Sequence, residues 1–79
     1  MSPTVFRSGP YRFYFFSREE PRMHIHVLSP DGEAKFWIEP IIEIATTYGF
    51  DTKDLGRIEA LIREKEDVIR KAWNQYFGS

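Results

Sequence analysis

The apolar positions change period part-way along the chain. Up to residue 39 they fall in short β-prone runs. From residue 52 onward they recur at three- and four-residue steps. Thr4–Arg7 is short and β-prone, and Ser8-Gly9-Pro10 closes it as a turn. Along Tyr11–Phe16, Tyr11, Phe13 and Phe15 share one strand face, and Arg12, Tyr14 and Phe16 share the other. Both faces are partly apolar, which predicts a central strand. Ser17–Arg22 reads as a polar loop, because Glu19-Glu20-Pro21 does not continue a paired strand. Met23–Leu28 is the next strand, Ser29-Pro30-Asp31-Gly32 carries hairpin chemistry, and Glu33–Glu39 returns antiparallel until Pro40 stops the ladder.

Ile41–Phe50 fits two elements. Ile41, Ile42, Ile44, Ala45 and Tyr48 form one broad helical face, with Pro40 at its start and Gly49 after its end; the isoleucines equally suit a further strand. The short helix is the expectation taken. Asp51 or Thr52 then caps a long helix. Its stripe of Leu55, Ile58, Ile62, Ile69, Trp73 and Phe77 runs to about Tyr76 and ends at Gly78. Its basic and acidic residues balance, which describes a solvated helix face. The predicted fold is α+β: a small antiparallel sheet of three to four strands from the N-terminal half, packed by a short helix and one long C-terminal helix.

At 79 residues, residues 1–79 form one domain, too short for two. The chain has no cysteine, so disulfides and Cys-ligated metal are excluded, and a reducing cytoplasmic setting is the expectation. No apolar run approaches the roughly 18 residues of a membrane span. A net charge of −1 argues against a generally basic nucleic-acid binder. The 16% aromatic content lets a small core bury area in large rings.

Candidate chemistry is confined to the N-terminal half. His24 and His26 are the chain's two histidines, and one intervening strand residue puts both imidazoles on one face about 7 Å apart. They are candidates for acid and base. Without a convincing third ligand, Glu39 being a bare guess, no metal and no cofactor are expected. The ordinary alternative is a pair of hydrogen-bonded strand histidines.

Their neighbours depend on the turn. A two-residue Asp31-Gly32 loop sets His26 against Trp37 and His24 against Glu39, sorting apolar from polar faces. A three-residue loop with a glycine bulge puts the histidines with Ala34, Phe36 and Ile38. Face sorting favours the first. Arg7, Arg12, Arg18 and Arg22 crowd the first strands and loop, where no lysine occurs. With Lys35, Tyr14 and Trp37, the arginines can form a cationic, aromatic-bearing surface suited to phosphate and stacked bases. Trp73 and Phe77, one turn apart, are expected to clamp the helix to the sheet. Phosphate-binding glycine loops, His-Glu-x-x-His and nucleophile elbows do not occur.

These segments resemble a family of small bacterial proteins, the domain of unknown function 4160. The resemblance rests on Pro3–Arg7, Gly9–Phe13, Pro21–Val27, Ala34–Pro40 and Ala72–Gly78. It implies a compact bacterial or phage-borne protein whose gene is paired with that of a small partner protein, in the style of toxin–antitoxin modules. No catalytic residue transfers with it. The expectation is a module component, the toxin side first, acting through its partner. RNA cleavage is the reaction to test: His24 and His26 would act as acid and base. Arg12, Arg22 and Lys35 would hold phosphate, with Tyr14 or Trp37 stacking a base. The alternative is a non-catalytic antitoxin or adaptor that binds protein or nucleic acid. A homodimer through a free strand edge is compatible with so small a sheet.

Overall fold

The structure, a computed structural model, describes residues 3–16 and 21–78. The predicted Ser17–Arg22 loop, with Arg18, Glu19 and Glu20, therefore lies mostly outside the described residues. The element order is β1 (Thr4–Ser8), β2 (Tyr11–Tyr14), β3 (His24–Ser29), β4 (Gly32–Trp37), β5 (Glu43–Tyr48), α1 (Thr52–Glu64) and α2 (Glu66–Phe77). The strands form one antiparallel meander in the order β1-β2-β3-β4-β5.

The α+β expectation stands, but the sheet has five strands where three to four were expected. The fifth replaces the short helix expected over Ile41–Phe50. Apart from Ala45, its core Ile44-Ala45-Thr46-Thr47-Tyr48 is β-branched or aromatic, and such side chains lose freedom in a helix while fitting a pleated surface. Pairing along β4 decides the ambiguity. Pro40, expected at a helix start, instead follows a cis peptide bond in the β4–β5 connection.

The long helix is also corrected: α1 ends at Glu64 and α2 starts at Glu66, with Lys65 between them at φ −103° and ψ 18°. Arg63-Glu64-Lys65-Glu66-Asp67 carries no apolar residue, so one straight helix would set charges where the stripe meets the core. The break lets Ile58 and Ile62 in α1 and Ile69 and Trp73 in α2 all become buried. Asp51 is the N-cap: its Oδ1 accepts from the Asp54 N–H at 2.8 Å, completing a capping box.

The helices cover one sheet face. Tyr11 and Phe13 on β2, and Phe15 just after it, pack with Ile25, Val27, Ala34, Phe36, Ile38 and the four helix residues. The predicted face assignment of Tyr11–Phe16 is thus observed, and β2 lies inside the sheet. Phe6 stacks on Phe13 across β1–β2 at 4.2 Å. Trp73 and Phe77 meet the Phe15 ring at 5.4 Å and 5.6 Å, which is the clamp expected of the helix end. Tyr11, also buried, donates its hydroxyl to Asp54 Oδ1 at 3.1 Å. Burial first, and that acceptor second, raise its pKa above the usual 10.0.

The β3–β4 hairpin has neither expected turn. Ser29 pairs with Gly32, so the loop is Pro30-Asp31, and the Asp31 N–H bonds to Ser29 Oγ at 3.1 Å. Gly32 is present for space. A Cβ there would run into the Tyr48 carbonyl and meet Gly49 C and Phe50 N at 2.9 Å, where β5 ends against the start of β4. The two-residue shift preserves parity. Ile25 opposes Phe36 and Val27 opposes Ala34 on the helix side, and the histidines stay on the other.

Candidate nucleic-acid interface on the outer sheet face

The row of side chains that alternates with the core row carries Arg12 and Tyr14 on β2, His24 and His26 on β3, and Lys35 and Trp37 on β4. Strand register makes them neighbours. Tyr14 opposes His26, His26 opposes Lys35, and His24 opposes Trp37. Arg22, two residues before β3, reaches the same place by its side chain. The hairpin shift changes the expected partners: Lys35 faces His26, and Trp37 faces His24 where Glu39 was expected.

Cations and rings alternate across this row. The Arg12 guanidinium lies 4.6 Å from the Tyr14 ring centre, and Tyr14 stacks on His26 at 5.4 Å and 28°. At the far end the Arg22 guanidinium and the Lys35 ammonium lie 4.1 Å and 4.5 Å from the Trp37 ring centre. Such contacts are worth about 0.5–1 kcal/mol each at exposed sites, and they also fix long side chains in place. Arg22 is held further. Its Nε donates to the Glu39 carbonyl at 2.7 Å, and its Nη2 to Glu43 Oε2 at 3.2 Å. Arg12 Nε donates to Thr4 Oγ1 at 2.7 Å.

The two histidines differ. Their ring centres are 5.2 Å apart, but His24 is fully buried and His26 is only partly so. The His24 ring sits 5.7 Å from Trp37 and 5.1 Å from Trp73, and so touches both the outer row and a residue of α2. Its Nδ1 is 2.6 Å from the Arg22 carbonyl oxygen. A carbonyl only accepts, so the Nδ1 proton is committed to it. His24 thereby fixes the backbone that carries Arg22. His26 lies beside the exposed Phe16 ring at 4.5 Å and opens on a groove of about 220 Å³. Tyr14, Phe16, Lys35, Thr46 and Tyr48 also line this groove.

Glu39 does not approach the histidines as a ligand. It accepts from Arg70 Nη1 at 2.6 Å, and Arg70 Nε donates to Glu66 at 2.8 Å. These two bonds, Glu39 first, raise the Arg70 pKa, and the one to Glu39 ties α2 to the segment that follows β4. Among the described residues no group of three or more His, Cys, Asp or Glu could hold a metal. No described helix is long and apolar enough to cross a membrane.

The family profile described as domain of unknown function 4160 matches residues 11–74. The chain belongs to that family. The match runs from the first residue of β2 into α2, so it takes in the whole cation–ring row and leaves β1 outside. No curated protein and no solved structure matches the chain. For this family member the site therefore rests on the chain's own geometry. The structure brings Arg12, Tyr14, Arg22, His24, His26, Lys35 and Trp37 together, whereas Arg18 lies outside the described residues. Arg7 faces Arg12 from β1. Missed were Phe16, Thr46 and Tyr48, the last two because β5 was read as helix. The alternation that put Phe16 with Arg12 and Tyr14 was a signal for the first. The Trp73 contact to His24 crosses 49 positions and has no local signal.

Proposed function

We propose that this protein binds single-stranded RNA on the outer sheet face, as the RNA-engaging component of a bacterial two-gene, toxin–antitoxin-like module. One observation carries the binding reading: Arg12, Arg22 and Lys35 are each seated over a ring of the same row. This arrangement delivers cationic donors and flat stacking surfaces together, the combination single-stranded nucleic acid requires. A net charge of −1 over the whole chain is compatible with a local cationic row: Arg12, Arg22 and Lys35 lie together beside Glu33 and Glu43, while the six basic residues of the helical half are matched there by six acidic ones. The module role rests on the family resemblance.

Binding is favoured over cleavage by the burial of His24, whose Nδ1 proton serves the Arg22 carbonyl. In the cleaving version His26 transfers the proton, standing at the groove between Phe16 and Lys35. A non-catalytic antitoxin or adaptor is the corresponding binding-only role.

Fluorescence anisotropy with a labelled mixed-sequence RNA tests the proposal. Affinity should fall steeply with salt, with a log–log slope of about 0.7 per phosphate contacted. Lys35→Ala and Arg22→Ala should each lower that slope by about one such unit. No binding at low salt at about 100 μM protein, weaker than any useful RNA binder, refutes it. Intact RNA on long incubation removes cleavage and leaves binding standing. Induction of the gene alone and with its genomic neighbour tests the module: growth arrest rescued by the neighbour supports the toxin role.

A further inference from the structure

We infer that two copies of this chain pair antiparallel along β5, joining their sheets into one ten-stranded sheet. Among the described residues, β5 is an edge strand with only β4 beside it. The opposite edge is defended. Strand β1 is interrupted by a register shift between Thr4 and Phe6, carries the exposed Arg7, and is approached by α2. Strand β5 has no lysine, arginine or proline over Glu43–Tyr48, and its defences are Glu43 at one end and the bulge that leaves Ala45 unpaired with β4.

Exposed apolar side chains gather at this edge. Ile41, Ile44 and Tyr48 are 61%, 42% and 78% exposed, three of the seven large hydrophobic residues exposed among those described. Ile41 precedes the strand, Ile44 opposes Phe36 of the helix-side row and Tyr48 opposes Glu33 of the outer row, so both faces of this edge carry exposed apolar surface.

The occupant follows from the charge pattern. A two-fold axis between Ala45 and Thr46 sets Glu43 opposite Tyr48 of the second copy and Ile44 opposite its Thr47. Ile44 and Thr47 are both β-branched, and such side chains fit a pleated pairing surface. Glu43 is the strand's one charge and is paired with Arg22 at 3.2 Å. The two Glu43 residues would lie at opposite ends, about 17 Å apart at 3.3 Å per residue, beyond effective repulsion at physiological salt. The strand's one charge therefore does not oppose a second copy of itself.

The geometry of the axis has a consequence for the rest of the molecule. A dyad relating antiparallel strands stands perpendicular to the sheet. All helices then fall on one side, and both cation–ring rows fall on the other. Of the residues that line the groove, Thr46 would then lie opposite Ala45 of the second copy and Tyr48 opposite its Glu43. The pairing itself does not depend on RNA.

Sedimentation equilibrium from about 5 to about 200 μM tests it, because dimer population follows concentration. The expected mass rises from 9.4 kDa towards twice that value. Ile44→Lys, which places an edge-blocking charge at an already exposed position, should stay at the single-chain mass with an unchanged circular dichroism spectrum. Val68→Lys, on the exposed side of α2, should dimerise as the native chain does. Hydrogen exchange at the Glu43–Tyr48 amides should slow as concentration rises. A single-chain mass throughout overturns the inference. So does a dimer unaffected by Ile44→Lys, or β5 exchange indifferent to concentration.

Discussion

Replacing His24 by alanine separates a structural histidine from a catalytic one. The ring is fully buried, with His26, Trp37 and Trp73 ring centres all within 6 Å, and its Nδ1 proton serves the Arg22 carbonyl. Truncating a large, fully buried side chain costs about 2–5 kcal/mol. Loss of the donor to a carbonyl adds about 1 kcal/mol or more. A total near 4 kcal/mol is a large part of the stability of a small domain. Unfolding entropy of about 2.1 cal/mol/K per residue gives roughly 0.17 kcal/mol/K over this chain, so Tm should fall by about 24 °C. His26→Ala removes a half-buried ring whose stacking on Tyr14 is worth about 1 kcal/mol, and should lower Tm by about 6 °C. Thermal melts of the three proteins at one pH measure both numbers. If His24→Ala melts within about 3 °C of the native chain, the ring is not a clamp. The case for proton transfer by His26 rather than His24 then collapses.

Two further outcomes are expected. Because the folded-state pKa of Tyr11 lies above the unfolded value of 10.0, its contribution is fully present below pH 10.0 and is lost as pH rises through the folded pKa. Urea midpoints at about pH 9 and about pH 11 should therefore diverge more for the native chain than for Tyr11→Phe, and equal differences would refute the assignment. Gly32→Ala should destabilise by about 2 kcal/mol or more in urea unfolding, because its methyl meets backbone of Tyr48, Gly49 and Phe50. A neutral result would mean that β4 and β5 do not approach so closely in solution.

What the sequence disclosed was parity; what it concealed was register and partner choice. The alternation in Tyr11–Phe16 and Met23–Val27 assigns every strand residue to a face, because the side-chain period is two and one face must be buried. It is blind to a shift of two, and that is the shift seen at Pro30-Asp31. Gly32 was misleading for a physical reason. Its place after Pro-Asp imitates a left-handed turn residue, but positive φ occurs at Gly9, Gly49 and Gly78, and Gly32 instead makes room for Tyr48. That constraint joins positions 16 residues apart, and β5 itself is set by pairing with β4. The helix break at Lys65 was locally visible. The stripe keeps its phase from Ile62 to Ile69, but the five residues from Arg63 to Asp67 between them are all charged, so the apolar face is interrupted there.

The burial of His24 and the order of the cations are parts of one arrangement. A long cationic side chain that grips phosphate gives up as much as ~2 kcal/mol of rotamer entropy, which limits the gain from a mobile surface arginine. Arg22 has already lost much of that freedom. Trp37 lies under its guanidinium, the Glu39 carbonyl and Glu43 take its N–H groups, and His24 fixes its own backbone carbonyl. The guanidinium plane, seated over an indole, also presents a flat cationic surface on which a base can stack, a role lysine cannot take. Trp37 then acts beneath the cations as their support, and bases meet Arg22 before they meet the indole. A buried histidine is thereby more useful to binding than an exposed one, because the arginine's position depends on a ring that does not move.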